Sequence, residues 1–172
     1  MRELIRREHG LLADTGVPFE WDVGLTPKST RMTMFDFGRV IMASKQWRSG
    51  AKPVALSFVP AWDYQGVYEP QGFHVGLLPI SHQTGFIPDL SRWKAYLKEL
   101  LREGDKQIQL VIINTQNNPT GLQWSPEVVS FLIDVAVEHQ AWLLVDDAYF
   151  AVRDPKVPVT SALKILLGVA LL

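Results

Sequence analysis

The stretch IQLVIINTQNNPTGLQWSPEVVSFLIDVAVEHQAWLLVDDAY, residues 108–149, decides how this chain folds. It contains two apolar runs, Ile108–Ile113 and Ala141–Val145, of the kind that form strands buried on both faces of a parallel sheet. Between them, Ser125-Pro126-Glu127 favours a helix start, because serine caps free amides, proline is tolerated in the first turn and glutamate complements the helix dipole. The stretch therefore predicts one β-α-β unit.

Polar residues follow both of these predicted strands. Asn114–Gly121 (NTQNNPTG) comes after the first strand and Asp146–Tyr149 (DDAY) after the second. In open α/β sheets, ligands bind outside the carboxyl ends of the strands. We therefore expect the two polar segments to open onto one crevice.

The rest of the chain continues the alternation of strands and helices. Working outward, the apolar spacing predicts helices at Glu3–Asp14, Met32–Ser44 and Ser91–Glu103, strands at Pro53–Val59 and Phe73–Ile80, and a short approach segment at Phe19–Val23. No linker, repeat or low-complexity tract interrupts the pattern. The sequence predicts an α/β domain.

Composition narrows the function classes. With 47% hydrophobic and 20% charged residues, the 172-residue chain is ordinary for a globular domain, and its net charge of −1 gives no reason to expect nucleic acid or a membrane as partner. The absence of cysteine excludes disulfides and thiolate metal sites, and the four histidines show no metal-ligand spacing, so no metal is predicted. The amino terminus lacks the apolar core of a secretory signal, which makes a cytoplasmic location the default.

Two motifs carry a family resemblance. Asn-Pro-Thr-Gly at 118–121, followed at a suitable spacing by Asp-x-Ala-Tyr at 146–149, resembles the large domain of the fold-type I pyridoxal-phosphate enzymes, the aminotransferase class I/II family. The resemblance implies a three-layer α/β sandwich with a mostly parallel sheet, here incomplete. It also implies pyridoxal 5'-phosphate as cofactor, an amino acid and a 2-oxo acid as substrates, and a homodimer.

The resemblance implies roles for the residues of these motifs. Asp146 would hold the ring nitrogen of the cofactor in its protonated form, which strengthens the ring as an electron sink. Asn118 and Tyr149 would hydrogen-bond the 3-oxygen of the ring. The alternative for Asp146 is a purely structural turn or helix cap after the strand.

The loop Gly24–Thr30 (GLTPKST) leads into the helix predicted at Met32–Ser44. Small hydroxylated residues before a helix favour a phosphate site, because backbone amides and the helix dipole attract an anion. The family holds the cofactor phosphate at this point of its fold. Ser29 and Thr30 are the predicted donors, although the family's usual Gly-Ala or Gly-Ser pair is replaced here. The alternative is that both residues only cap the helix.

An aromatic residue is expected against the face of the cofactor ring, after the strand Pro53–Val59. In the segment that follows, Trp62 fits the family's Pro-x-aromatic setting best, and a flat apolar indole suits an offset-stacked heteroaromatic ring. Tyr64 is the competing candidate, and either residue could instead belong to the core.

The resemblance covers residues 1–153, predicted to be a partial cofactor-binding domain, and it ends at a divergent apolar tail, residues 154–172. This tail is too short to span a bilayer. The family's Schiff-base lysine has no match, since Lys164 lies too near Asp146, and its setting Ser161–Lys164 is a coincidental likeness. We therefore expect a large-domain fragment that lacks the lysine region.

Three functions remain open at this point. The first is a pyridoxal-phosphate aminotransferase present as a partial chain, with lyases, decarboxylases and oxidative deaminases of the same fold as alternatives. The second is a non-catalytic truncated remnant that at most binds the cofactor. The third is an unrelated α/β nucleotide-binding domain, which the absence of a Gly-x-Gly-x-x-Gly or Gly-Lys-Ser/Thr motif disfavours.

Overall fold

The computed structural model describes residues 23–150, 152, 154, 156–157 and 159–170. The predicted helix Glu3–Asp14 lies outside these residues, as does the predicted segment Phe19–Val23 except for its last residue. The helices are α1 Thr30–Ser44, α2 Tyr64–Tyr68, α3 Leu90–Leu100, α4 Pro126–Glu138 and α5 Ala162–Ala170. The strands are β1 Lys52–Val59, β2 His74–Pro79, β3 Lys106–Ile113 and β4 Trp142–Val145, and two short 3-10 helices lie at Glu69–Gln71 and His82–Thr84.

The four strands form one parallel sheet in the order β2-β1-β3-β4. The chain moves from β1 to one edge of the sheet, then returns across β1 to β3 and continues to β4. Because parallel crossovers are right-handed, connections that run in opposite directions place their helices on opposite faces. Helices α1 and α2 contact each other, whereas α4 contacts β3, β4 and α5. The predicted three-layer α/β fold is confirmed.

The predicted elements agree with the structure to within a few residues. The helix start at Ser125 is confirmed, because the Ser125 side chain accepts a hydrogen bond from the Val128 amide and Pro126 opens α4. The short helix α2 was not predicted, since five residues are too few to show a helical period. Asp63 caps it by accepting a 2.8 Å hydrogen bond from the Gly66 amide.

The core is built on the two central strands. Six consecutive residues, 53–58 in β1, are buried, and so are residues 108–113 in β3, as the apolar run in that stretch predicts. Strand β4 is only half-buried at all four positions, and it lies at the edge of the described sheet. The apolar tail contributes α5, which packs against α4. No helix in the described part of the chain is long and apolar enough to cross a membrane.

The strand order creates a switch point between β1 and β3. These neighbouring strands are followed by connections that leave in opposite directions, so a crevice opens at their carboxyl ends. The loop carrying Trp62 follows β1, Asn118 follows β3, and Asp146 follows the adjacent strand β4. The fold therefore brings the predicted site residues to one edge of the sheet.

Candidate active site

Asn114, the first residue after β3, joins the two loops that carry the motifs. It is buried, its Nδ2 donates to the Asp146 carbonyl oxygen at 2.7 Å, and its Oδ1 accepts from the Asn118 amide at 2.8 Å. Both loops are thereby fixed relative to each other. Sequence reasoning did not single out Asn114. The sequence signal for this residue was an asparagine side chain placed directly after the apolar run 108–113.

The Asn-Pro-Thr-Gly turn is held by its own side chains. Asn117 Oδ1 accepts from the Thr120 hydroxyl at 2.6 Å and from the Thr120 amide at 3.3 Å. Gly121 has φ of 70°, a left-handed conformation that glycine adopts at low cost. The turn presents Asn118, whose Nδ2 lies 3.4 Å from the Tyr149 hydroxyl oxygen. These two side chains line a cavity of about 440 Å³.

Asp146 lies at the end of β4 with its carboxylate held by a tyrosine. The Tyr64 hydroxyl donates to Asp146 Oδ2 at 2.7 Å, and the Ala148 amide lies 3.3 Å from Oδ1. Tyr64 is 1% exposed. Its predicted alternative role, stacking on a ligand, does not agree with this buried position. The sequence placed Tyr64 at the right edge of the sheet but gave no indication of this contact.

The amino terminus of α1 faces the same cavity as Asp146. Ser29 caps the helix, accepting from the Met32 amide at 3.3 Å, so the capping interpretation holds for its side chain. Thr30 and Asp146 both line a cavity of about 420 Å³ between α1 and β4. The amides of Thr30 and Arg31 have no carbonyl partner within the helix, because both belong to its first turn. The amino terminus of α1 and a carboxylate thus share one cavity.

Trp62 is half-buried beside Tyr64 and lines a third cavity of about 220 Å³. The two rings meet edge to face with centroids 5.3 Å apart, and the Arg31 guanidinium lies 4.6 Å from the Trp62 ring centroid. Arg31 also donates to Asp63 Oδ2 at 3.1 Å. The Gly66 amide and then Arg31 hold the pKa of Asp63 below its usual range. Stacking of Trp62 on a ring stays a prediction.

Two buried tyrosines on α2, Tyr64 and Tyr68, are affected by the charge of Asp146. Burial is the main cause that raises the pKa of Tyr64 well above the usual range, and the Asp146 charge and hydrogen bond raise it further. Burial, with a smaller contribution from Asp146, also raises the pKa of Tyr68. Both phenols are therefore neutral in the folded chain at pH values where exposed phenols ionise.

These shifts predict that stability falls in alkali. A pKa raised by folding stabilises the native state fully below the unfolded value of about 10, and that stability is lost as pH rises towards the folded value. We expect the urea midpoint to be flat up to about pH 9 and to fall steeply near pH 11. In the Tyr64→Phe variant the fall should be roughly half as steep, because one of two shifted groups is gone. If the urea midpoint fell equally steeply with pH in the wild type and in Tyr64→Phe, the raised pKa of Tyr64 would be contradicted.

Known proteins resemble this chain in both sequence and fold. The family model for aminotransferase class I and II matches residues 41–160. The aspartate/prephenate aminotransferase of Thermus thermophilus is 27% identical over 156 residues, which cover 87% of this chain and 34% of that protein. The aspartate aminotransferase of Pyrococcus horikoshii is 30% identical over 81 residues, covering 46% of this chain and 19% of that protein.

Solved structures agree. The aminotransferase AspB of Helicobacter pylori superposes with a TM-score of 0.61 at 26% identity, covering 80% of this chain and 33% of that one. An aminotransferase of Neisseria meningitidis gives a TM-score of 0.69 over 98% of this chain and 39% of that one; at 16% identity it supports the fold alone. This chain spans about a third or less of the length of the curated relatives it matches. Since the family model covers well over half of the chain, the chain belongs to the class I and II aminotransferase family.

Proposed function

We propose that this chain forms the cofactor-binding part of a pyridoxal-phosphate-dependent aminotransferase, which transfers an amino group between an amino acid and a 2-oxo acid. The observation that carries the proposal is the position of the Asp146 carboxylate at the switch-point edge of the sheet, in one cavity with the amino terminus of α1. The names of the relatives make aspartate the first amino acid to test.

The donor set fits pyridoxal 5'-phosphate. The cofactor needs an anion partner for its ring nitrogen, donors for its ring oxygen and an anion site for its phosphate. Asp146 supplies the first and the first-turn amides at Thr30 supply the third, both at the cavity between α1 and β4. Asn118 and Tyr149, which line the separate cavity of about 440 Å³, supply the second. A cavity of about 420 Å³ between α1 and β4 is within the usual range for small-ligand sites.

Each residue then has a defined task. When bound, pyridoxal phosphate supplies an electron sink for the carbon that loses a proton. Asp146 keeps the ring nitrogen protonated, and Asn118 and Tyr149 orient the ring through its 3-oxygen. The Ser29 hydroxyl and the Thr30 amide and hydroxyl bind the phosphate. Trp62 covers one face of the ring and excludes water from it.

The wider context follows from the same proposal. The active protein is a cytoplasmic homodimer, and its partners are small-molecule substrates rather than nucleic acid or membranes. Lyase, decarboxylase or oxidative deaminase chemistry is the alternative within this fold. A non-catalytic remnant that only binds the cofactor is the other alternative, because Lys164, the lysine of the Ser161–Lys164 segment, is exposed on α5.

The decisive experiment is a binding titration with 4'-deoxypyridoxine phosphate. This analogue has no aldehyde, so surface lysines cannot capture it. We expect saturable binding of one molecule per chain, displaced by pyridoxal phosphate but not by equal concentrations of inorganic phosphate. Binding that inorganic phosphate displaces equally well, or no saturation at all, would overturn the proposal.

Borohydride reduction distinguishes an active enzyme from a non-catalytic remnant that only binds the cofactor. After incubation with pyridoxal phosphate, one stoichiometric adduct at a single lysine supports an enzyme with its own covalent partner. Binding of the analogue without a specific adduct supports the cofactor-binding remnant.

A further inference from the structure

One partly buried hydrogen bond crosses the switch point. Tyr64 comes from the connection after β1 and Asp146 follows β4, with β3 lying between these strands. The Tyr64 hydroxyl nevertheless reaches Asp146 Oδ2 at 2.7 Å, and the tyrosine ring is 1% exposed. The rings of Phe58 and Trp62 pack edge to face against Tyr64 at centroid distances of 6.0 and 5.3 Å. The tyrosine ring is therefore packed against two aromatic rings while its hydroxyl reaches the carboxylate.

The two oxygens of the Asp146 carboxylate are not equivalent. Oδ2 accepts the short bond from Tyr64, whereas Oδ1 has, among the described residues, only the longer 3.3 Å contact with the Ala148 amide. An ionised carboxylate offers about four lone-pair sites, so acceptor capacity remains on Oδ1. Asp146 also lines the cavity that contains Thr30. One oxygen is thus anchored, and the other keeps capacity for a donor in the cavity.

We propose that Tyr64 is a positioning residue for Asp146. Its hydroxyl fixes Oδ2 and thereby turns Oδ1 towards the cavity, where Oδ1 accepts the N–H of a protonated pyridine ring. This inference rests on the proposed function and adds a residue to it. Tyr64 itself touches neither the ring nor the substrate. Its effect passes entirely through the carboxylate, so it should vanish when the carboxylate is absent.

Tyr68 provides a matched control on the same helix. It lies one turn after Tyr64, is 0% exposed, and its hydroxyl has no hydrogen-bond partner among the described residues. Replacing either tyrosine by phenylalanine removes one oxygen from a buried ring on α2. Only the change at Tyr64 removes a bond to Asp146. A general effect of altering the helix would appear equally in both variants.

The test is a double-mutant cycle read out as affinity for 4'-deoxypyridoxine phosphate. We expect Tyr64→Phe to weaken binding roughly tenfold, as loss of a hydrogen bond to a charged group does. Tyr68→Phe should change the affinity less than about twofold, and in the Asp146→Ala background, where no acceptor remains for the Tyr64 hydroxyl, Tyr64→Phe should have little further effect. Equal losses in both tyrosine variants, or an undiminished tenfold loss in the Asp146→Ala background, would overturn the proposal.

A second pair of variants guards against loss of folding. Incorporation of 4-methylphenylalanine at position 64 fills the volume of the hydroxyl without a donor, and 4-aminophenylalanine keeps an N–H donor there. We expect the methyl variant to reproduce the tenfold loss and the amino variant to restore most of the affinity. If wild type binds and both variants bind equally, Tyr64 has no positioning role although the proposed function stands. If wild type does not bind, the proposed function fails and this inference fails with it.

Discussion

Replacing Asp146 by asparagine is expected to weaken the binding of 4'-deoxypyridoxine phosphate about a hundredfold, because truncating one partner of a charge pair costs about 2–5 kcal/mol. The substitution removes the negative charge that favours a protonated ring nitrogen but changes the side-chain volume little. The asparagine carbonyl oxygen can still accept the bond from Tyr64, so the fold should survive. We expect the thermal unfolding midpoint to shift by only a few degrees.

The neighbouring Asp147 is the matched control for this substitution. Asp147 also lines the cavity between α1 and β4, and its Oδ1 accepts from the Thr115 hydroxyl at 3.2 Å. Asp147→Asn removes the same charge one residue away, and it should weaken binding no more than about threefold through long-range electrostatics. The measurement is a fluorescence titration of both variants with 4'-deoxypyridoxine phosphate, which compares their losses of affinity. Unchanged binding with reduced stability in Asp146→Asn would mean that Asp146 is structural.

The elements that the sequence predicted well are those with a strong local signal. The run 108–113 lies in the buried part of β3, because apolar residues without polar alternation suit a sheet covered on both faces. The run 141–145 supplies β4, residues 142–145, which is half-buried because it lies at the edge of the described sheet. Helix α4 begins where Ser125 and Pro126 indicated, since capping depends on residues next to each other in the chain. The chain order of these elements then indicated which loops share an edge of the sheet.

The contacts that the sequence did not reveal are long-range. Tyr64 follows β1 and Asp146 follows β4, with β3 between these strands. No local sequence pattern indicates that the Tyr64 hydroxyl reaches past the end of β3 to Asp146. Asn114 joins two loops through a side chain that, in the sequence, reads as ordinary turn chemistry. Serine is favoured both as a helix cap and as a donor to a phosphate group, so the residue type at position 29 did not distinguish the two roles.

Replacing Trp93 by alanine is expected to cost about 4 kcal/mol of unfolding free energy, within the range for deleting a large buried aromatic. Trp93 on α3 is 0% exposed, and its ring meets Trp124 edge to face with centroids 5.8 Å apart. Its Nε1 donates to the Pro79 carbonyl oxygen at 2.9 Å, which ties α3 to the end of β2. The variant therefore loses packing and leaves the Pro79 carbonyl oxygen without its donor. For a chain of this size, the melting midpoint should fall by roughly 8–16 °C.

Trp62→Ala separates this core role from a role in the site, because it deletes the same atoms from a half-buried position. We expect Trp62→Ala to lower the unfolding free energy by less than about 2 kcal/mol, because Trp62 buries less apolar surface on folding than Trp93 does. The same variant should bind 4'-deoxypyridoxine phosphate several-fold more weakly through lost stacking. Trp93→Ala should show the opposite pattern at temperatures where it stays folded. Trp93 is linked to the site through Trp124, whose amide donates to the Thr115 carbonyl oxygen at 3.0 Å in the loop after β3. A Trp93 variant that lost affinity as strongly as Trp62→Ala would show that core packing holds this loop in place, and it would remove the evidence that Trp62 contacts the ring.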